Sequence, residues 1–190
     1  MTPQPPYARD RPAVRDAVEW ASAMHASQRR DVDRAPFILH PLEVAALLSG
    51  RELDDAVVAA GVLHDVVEKT SATVEDVRDR FGDRTAEIVS AVTEDGSIDD
   101  FTARKAALRG QLETAGPDAH AVYAADKIAK ARELRAQAAA DPAALDDPAV
   151  HQRLEHYEHS LETLRAVAPG LPMLDQLAFE LWALRSLPPE

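Results

Sequence analysis

The stretch Gly61-Val62-Leu63-His64-Asp65-Val66-Val67-Glu68-Lys69-Thr70 sets an imidazole beside a carboxylate in an apolar run, with a second carboxylate three residues on. Upstream, Asp55 to Ala60 contains no proline or glycine, so the His-Asp pair is expected late in a helix. On a helix Asp65 and Glu68 (i, i+3), and His64 and Glu68 (i, i+4), share neighbouring parts of one face. Three groups able to bind a cation or move a proton are thus turned toward a core. Burial there costs free energy unless they are paired or coordinate a metal. For the dipeptide alone, a His-Asp hydrogen bond at an ordinary helix end is the simpler reading.

Two further groups widen the set. His40 precedes Pro41, and Asp126 is a lone acid in Ala124-Ala125-Asp126-Lys127-Ile128, on an otherwise small and apolar helix face. Asp126 reads equally as the partner of a neighbouring lysine or arginine. His40, His64, Asp65 and Asp126 are the candidate metal ligands. Imidazole and carboxylate suit Mn, Fe, Zn or Mg chemistry, with oxygen-rich sets leaning to harder ions. Thiolate sites and disulfides are excluded because the chain has no cysteine. Of the other histidines, His25 lies on a core-facing stripe and is expected to hydrogen-bond inside the fold. His120, His151, His156 and His159 sit among charges and are expected to be solvated.

The elements that must position these groups are all helical by pattern. Val14, Val18, Ala21 and Met24 recur at helical spacing, and that helix is expected to end near Arg29-Arg30. Pro41 suits a first helical position, in a helix that stops at Gly50. Asp54 or Asp55 can cap the helix carrying the His-Asp pair, and Thr73 the next one, which closes at Phe81-Gly82. Helices follow over about 85–92, 101–113, 118–139, 149–167 and 172–187, the last with Leu174, Leu177, Leu181, Trp182 and Leu187 as apolar positions. No stretch shows strand-like alternation. The expectation is an all-α fold of roughly eight to ten helices in one domain over residues 1–190, with an extended lead-in over 1–9 and a linker over 140–148.

Composition narrows the function. At 190 residues the chain can bury a core without staples. A net charge of −12, from 33 acidic against 21 basic residues, argues against a nucleic-acid or membrane-surface binder, although a local basic pocket remains compatible with it. There is no apolar run of membrane-spanning length and no signal-peptide pattern at the N-terminus, so a cytoplasmic protein is expected. Oligomeric state is not readable.

The motifs taken together carry a resemblance. They are His25-Ala-Ser-Gln28-Arg29-Arg30, Pro36 to Ala45 around His40, Ala60 to Thr70, Phe81-Gly82 leading to Val89-Ser90-Ala91-Val92-Thr93-Glu94-Asp95, Arg104-Lys105, and Ala125-Asp126-Lys127. In this order and spacing the chain resembles the HD-domain pyrophosphohydrolases of the RelA/SpoT group, most closely the small stand-alone hydrolases similar to the metazoan SpoT homologue. The match runs from about residue 12 to 135, and the chain is too short for a nucleotide-synthetase region.

The resemblance implies that His40, His64, Asp65 and Asp126 hold one divalent ion, typically Mn²⁺, which acidifies a water for attack on phosphorus. It implies that Glu68, matching the first acid of a Glu-Asp pair, helps activate that water, and that Arg30 contacts the substrate at the pocket edge. Family members remove the 3′-pyrophosphate from guanosine tetra- or pentaphosphate, and the animal relatives also take the 2′-phosphate from NADPH. Two positions depart from the pattern. Lys69 replaces the second acid, and Lys130 replaces an asparagine four residues after Asp126. Both can be surface drift, or can add cations to a phosphate pocket as substrate-binding groups. A lysine beside Glu68 suits a base better than an acid. The expected function is therefore a metal-dependent phosphohydrolase acting on a small phosphorylated nucleotide, with altered selectivity. The alternatives are a catalytically weakened nucleotide-binding regulatory domain, an NADPH 2′-phosphatase and an HD nucleotidase.

Overall fold

Helix α3 (Asp55–Leu63) runs through the centre of the molecule, and every residue from Val57 to Leu63 is buried. A helix apolar all round must be enclosed by others. Here α1 (Pro12–Met24), α2 (Leu39–Ser49), α6 (Asp83–Val92) and the long α8 (Pro117–Ala140) surround it. The short α4 (Val66–Lys69) follows α3 directly, and α5 (Val74–Phe81) leads into α6. Helices α7 (Phe101–Leu112), α9 (Pro148–Val167) and α10 (Leu174–Ser186) close the other side, with α9 and α10 packed on α8. The computed structural model describes residues 4–51 and 53–186. Met1 to Pro3 of the expected lead-in, Glu52, and Leu187 of the expected last apolar stripe lie outside the described residues.

The all-α expectation holds among the described residues, where the only β pairing is an isolated bridge between Arg29 and Pro36. Local chemistry explains the helix starts. Pro12, Pro117 and Pro148 occupy first-turn positions where a missing N–H costs nothing. Thr73 and Asp76 form a reciprocal capping box at α5. The carboxylates of Asp100 and Asp147 accept from the backbone N–H groups of Ala103 and Ala149. At Gly82 φ is +85°, which lets α5 turn into α6 without a side-chain clash.

Three expectations need correction. Helix α1 stops at Met24 rather than at Arg29-Arg30, because the backbone beyond it closes a hairpin-like loop instead. In that loop Arg30 N–H donates to the Ala35 carbonyl at 2.9 Å and Phe37 N–H to the Gln28 carbonyl at 3.1 Å, with Arg34 at φ +60° in the turn. The lead-in is not extended throughout, since Pro6–Ala8 forms a 3₁₀ turn whose Tyr7 hydroxyl donates to the Leu42 carbonyl at 3.0 Å. The linker contains a second 3₁₀ turn over Pro142–Asp146. Asp54 takes the N-cap position of α3 without a cap bond, its carboxylate accepting instead from Arg84 at 2.8 Å. Among the described residues no helix is long and apolar enough to cross a membrane.

Candidate metal centre

The close approach of α2 and α3 starts at Gly61. A Cβ there would lie 2.4 Å from Leu48 Cδ1 and 3.5 Å from Ala45 Cα, so the absence of a side chain lets the two helices meet. This brings His40, near the start of α2, to the end of α3, where His64 follows. The His-Asp pair does not lie within one continuous helix. His64 and Asp65 sit at the break between α3 and α4, and their side chains approach each other there, Nε2 to Oδ2 at 3.5 Å. His64 Nδ1 lies 2.8 Å from the Gly61 carbonyl. A carbonyl only accepts, so Nδ1 carries the proton and Nε2 is left with its lone pair.

The four expected ligands converge, each at most 5% exposed. Asp126 Oδ1 lies 3.0 Å from His40 Nε2 and 3.4 Å from His64 Nε2. Asp65 Oδ2 lies 3.5 Å from His64 Nε2 and 3.8 Å from His40 Nε2. The donor atoms of His40, His64 and Asp65 all fall within 4.8 Å of one another. An ion bound by nitrogen and oxygen at about 2.0–2.2 Å sets neighbouring donor atoms about 3.0–3.5 Å apart, close to this spacing. His64 Nε2 and Asp65 Oδ2 are moreover buried without a hydrogen-bond partner, the condition a cation would relieve. His40, His64 and Asp65 could therefore hold a divalent ion, with Asp126 beside them.

Asp126 also meets the other expectation held for it, a lysine partner. Its Oδ2 accepts from Lys127 Nζ at 2.7 Å, and Lys130 Nζ lies 3.0 Å from Oδ1 and 3.1 Å from Oδ2. Lys127 is itself buried, its ammonium 4.3 Å from the centre of the Tyr123 ring. Burial pushes the Asp126 carboxyl up, but Lys127 and Lys130 outweigh it and hold the group well below the usual carboxylate range. Asp65 is likewise held low, burial being outweighed by His64, Lys130 and Lys69. The His64 imidazole is held above its ordinary value, because Asp65 and Asp126 outweigh its burial. Lys127 and Lys130 already meet the charge of Asp126, so the carboxylate left open to a cation is Asp65, whose Oδ2 has no hydrogen-bond partner.

His40 and Asp65 of this centre line a cavity of about 270 Å³. Glu68 and Lys69 stand on its rim, 3.2 Å apart, with Lys69 Nζ 5.7 Å from the Phe37 ring centre. Arg30 lines the cavity at the loop side and is anchored by Asp33, with Glu133 at 3.7 Å. Gln28 ties this loop to the rim, donating to the Lys69 carbonyl at 2.5 Å while its amide oxygen accepts from His25 Nδ1 at 2.8 Å. Of the expected site residues, Arg30, His40, Asp65, Glu68, Lys69 and Lys130 thus line one cavity, while His64 and Asp126 pack against His40 and Asp65 without lining it.

Two histidines expected to be solvated are buried. His120 Nε2 donates to the Leu112 carbonyl at 2.8 Å, and His156 lines the cavity. His151 and His159 are exposed. Sequence reasoning missed His156 because Glu155 and Glu158 flank it. It lies one residue from the apolar stripe Val150, Leu154, Tyr157, Leu161 and Leu164, which was the available signal. Lys105 and Lys127 were also missed as cavity groups.

Residues 17–154 match the HD domain family. A guanosine-3′,5′-bis(diphosphate) 3′-pyrophosphohydrolase MESH1 from Xenopus tropicalis is 36% identical over 132 residues, covering 66% of this chain and 72% of the frog protein. The Mus musculus protein of the same name is 27% identical over 175 residues, covering 90% of this chain and 94% of its own. A guanosine-3′,5′-bis(diphosphate) 3′-pyrophosphohydrolase from Aquifex aeolicus is 37% identical over 92 residues, and there the match spans 48% of this chain but only 13% of the bacterial protein. Among solved structures, a metazoan ortholog of SpoT that hydrolyzes ppGpp superposes with a TM-score of 0.79 at 26% identity, over 98% of this chain and 99% of the other.

Proposed function

We propose, for a chain that belongs to the HD-domain family of metal-dependent hydrolases, that this centre cleaves the 3′-pyrophosphate ester of a guanosine bis(diphosphate). The observation that carries the reading is the convergence of His40, His64, Asp65 and Asp126 beside a cavity that His40 and Asp65 line together with lysine and arginine. The donor set of two imidazoles and two carboxylates suits Mn²⁺. Bound there, such an ion supplies an acidified water and a Lewis acid for phosphoryl oxygen.

The chain's own groups have separate roles. His40, His64, Asp65 and Asp126 are fixed before any ligand arrives, by burial and by the Gly61 bond to His64. Glu68, at the rim, accepts the proton from the attacking water through a carboxylate oxygen. Lys69, 3.2 Å from it, keeps that carboxylate oriented and offers its remaining donors to a phosphate. Lys130 faces both aspartates and, with Arg30 opposite, neutralises the charge that builds on the phosphoryl oxygens. Two lysines where the family pattern has an acid and an amide shift selectivity toward the more highly charged end of the nucleotide range.

The test is product release from guanosine-3′,5′-bis(diphosphate) by protein loaded with Mn²⁺, beside the same protein with chelator and the Asp65→Ala variant. Pyrophosphate released only by the loaded native protein is the expected result. Phosphate from NADPH with no turnover of the guanosine compound would replace this reading with the phosphatase alternative. No product from either, under loading verified by elemental analysis, would leave the nucleotidase and binding-domain alternatives, which phosphate release from nucleoside 5′-monophosphates separates.

A further inference from the structure

The wall of the cavity formed by α7 and α9 contains a group that the proposed chemistry does not use. His156 is 4% exposed, and its Nδ1 lies 2.8 Å from Arg109 NH1. A guanidinium has only donors, so Nδ1 is the acceptor and the proton of the neutral ring sits on Nε2. That Nε2–H is buried and has no partner in the protein, although the ring lines the cavity. Burial, with Lys127, Lys105 and Arg109 close by, keeps the imidazole uncharged well below its usual range. His156 is therefore a fixed, neutral donor.

Its surroundings are built in the same sense. Phe101, Lys105 and Arg109 recur at i, i+4 and i+8 and form one stripe of α7. The Phe101 ring meets the His156 ring edge-on at 6.4 Å, and Lys105 Nζ lies 5.2 Å from the centre of Phe101. Glu94 anchors Lys105 while also accepting from Arg104 Nε at 2.9 Å, which holds the lysine against the cavity. Arg153 lines the same wall. The corner offers donors from Lys105, Arg153 and His156, and the Glu94 carboxylate that holds Lys105 is already taken by two cations.

We propose that His156 and Lys105 form a second anion subsite, which holds the phosphate groups of the nucleotide that are not attacked. The inference rests on the hydrolase reading for the name of the ligand and adds which residues hold its second phosphorylated position, one end lying at the metal centre and the other at this wall. Arg109 is a positioning residue, since it selects the tautomer that points a proton at the ligand. Glu94 positions Lys105.

The experiment is calorimetric titration of the full chain with guanosine 5′-diphosphate, which carries phosphate only at the non-reacting end, with and without chelator. The native protein is expected to bind it equally in both conditions. His156→Phe and Lys105→Met are each expected to weaken binding by about tenfold or more, the loss of a hydrogen bond to a charged group. His156→Gln, which keeps a donor near Nε2, should recover part of the affinity, and unchanged circular dichroism would verify the fold of each variant. Equal affinity in native protein and Lys105→Met, or binding that vanishes with chelator, would overturn the subsite. If the titrations behave as expected but no nucleotide is turned over, the subsite stands and the hydrolase reading fails.

Discussion

His64 donates through Nδ1 to the Gly61 carbonyl at 2.8 Å, and that single bond decides which nitrogen faces Asp126 at 3.4 Å. One backbone carbonyl thereby sets the tautomer of a candidate ligand, while the missing side chain of the same glycine lets α2 bring His40 alongside. Support of this kind is what keeps a metal-binding imidazole in register with its neighbours.

If these groups hold one divalent ion, His64→Ala and Asp65→Ala will each retain no stoichiometric metal after dialysis, measured by elemental analysis. Hydrolysis should fall by at least about a hundredfold, more than second-sphere changes cost. Adding Mn²⁺ to the native protein at a hundred times its dissociation constant should raise stability by about 2.7 kcal/mol, and this rise should be absent in both variants.

Gly61→Ala places a methyl group 2.4 Å from Leu48 Cδ1. The leucine tip can move, but Ala45 Cα at 3.5 Å belongs to the backbone of α2 and cannot move independently. The expected cost is about 1–3 kcal/mol in urea denaturation, together with weaker metal binding as α2 is pushed outward. A variant with native stability and native metal affinity would show that the approach of the two helices is not needed.

Lys130→Asn removes an ammonium 3.0 Å from Asp126 Oδ1 without shortening the helix. Metal stoichiometry should stay at the native value, while KM for guanosine-3′,5′-bis(diphosphate) rises by about tenfold, the worth of one hydrogen bond to a charged group. Steady-state kinetics on metal-loaded protein reads this directly. An unchanged KM would return Lys130 to a purely structural partner of Asp126.

Glu94 supplies a pH-dependent term. Burial pushes its carboxyl up, but Lys105 and Arg104 outweigh that and hold it below its ordinary value. A carboxyl depressed in the folded state contributes stability above its unfolded value and loses it as pH falls through the folded one. Glu94→Gln should therefore unfold at lower urea concentration than the native protein at pH 7, with the difference shrinking as the pH is lowered below about 4, the ordinary carboxylate range. A constant difference across that range would mean that the effect is one of packing.

Glu180 on α10 is buried, with Arg132 at 2.8 Å and Arg135 at 3.2 Å, both on α8. The arginines remain a third or more exposed, so solvent screens the pair, and Glu180→Ala should cost about 1–3 kcal/mol, less than a fully enclosed pair. Thermal unfolding measures it, and a loss confined to α10 would show as early exchange of its amide protons.

The sequence alone determined the helical class, most helix boundaries to within a few residues, and the identity of the ligand candidates. Those properties follow from local chemistry: apolar spacing, prolines in first turns, the Thr73 capping box, and histidines and aspartates in recurrent settings. Only the tertiary structure decided that α1 yields to a hairpin-like loop after Met24, that His64 and Asp65 occupy a break between two helices, and that Asp126 serves lysines and imidazoles together. It also moved His156 from an expected solvated surface to the cavity wall. These outcomes depend on contacts between separate elements, such as Arg109 with His156 or Gly61 with Leu48, and on backbone pairing that closes the loop after Met24. No local pattern in the chain records them.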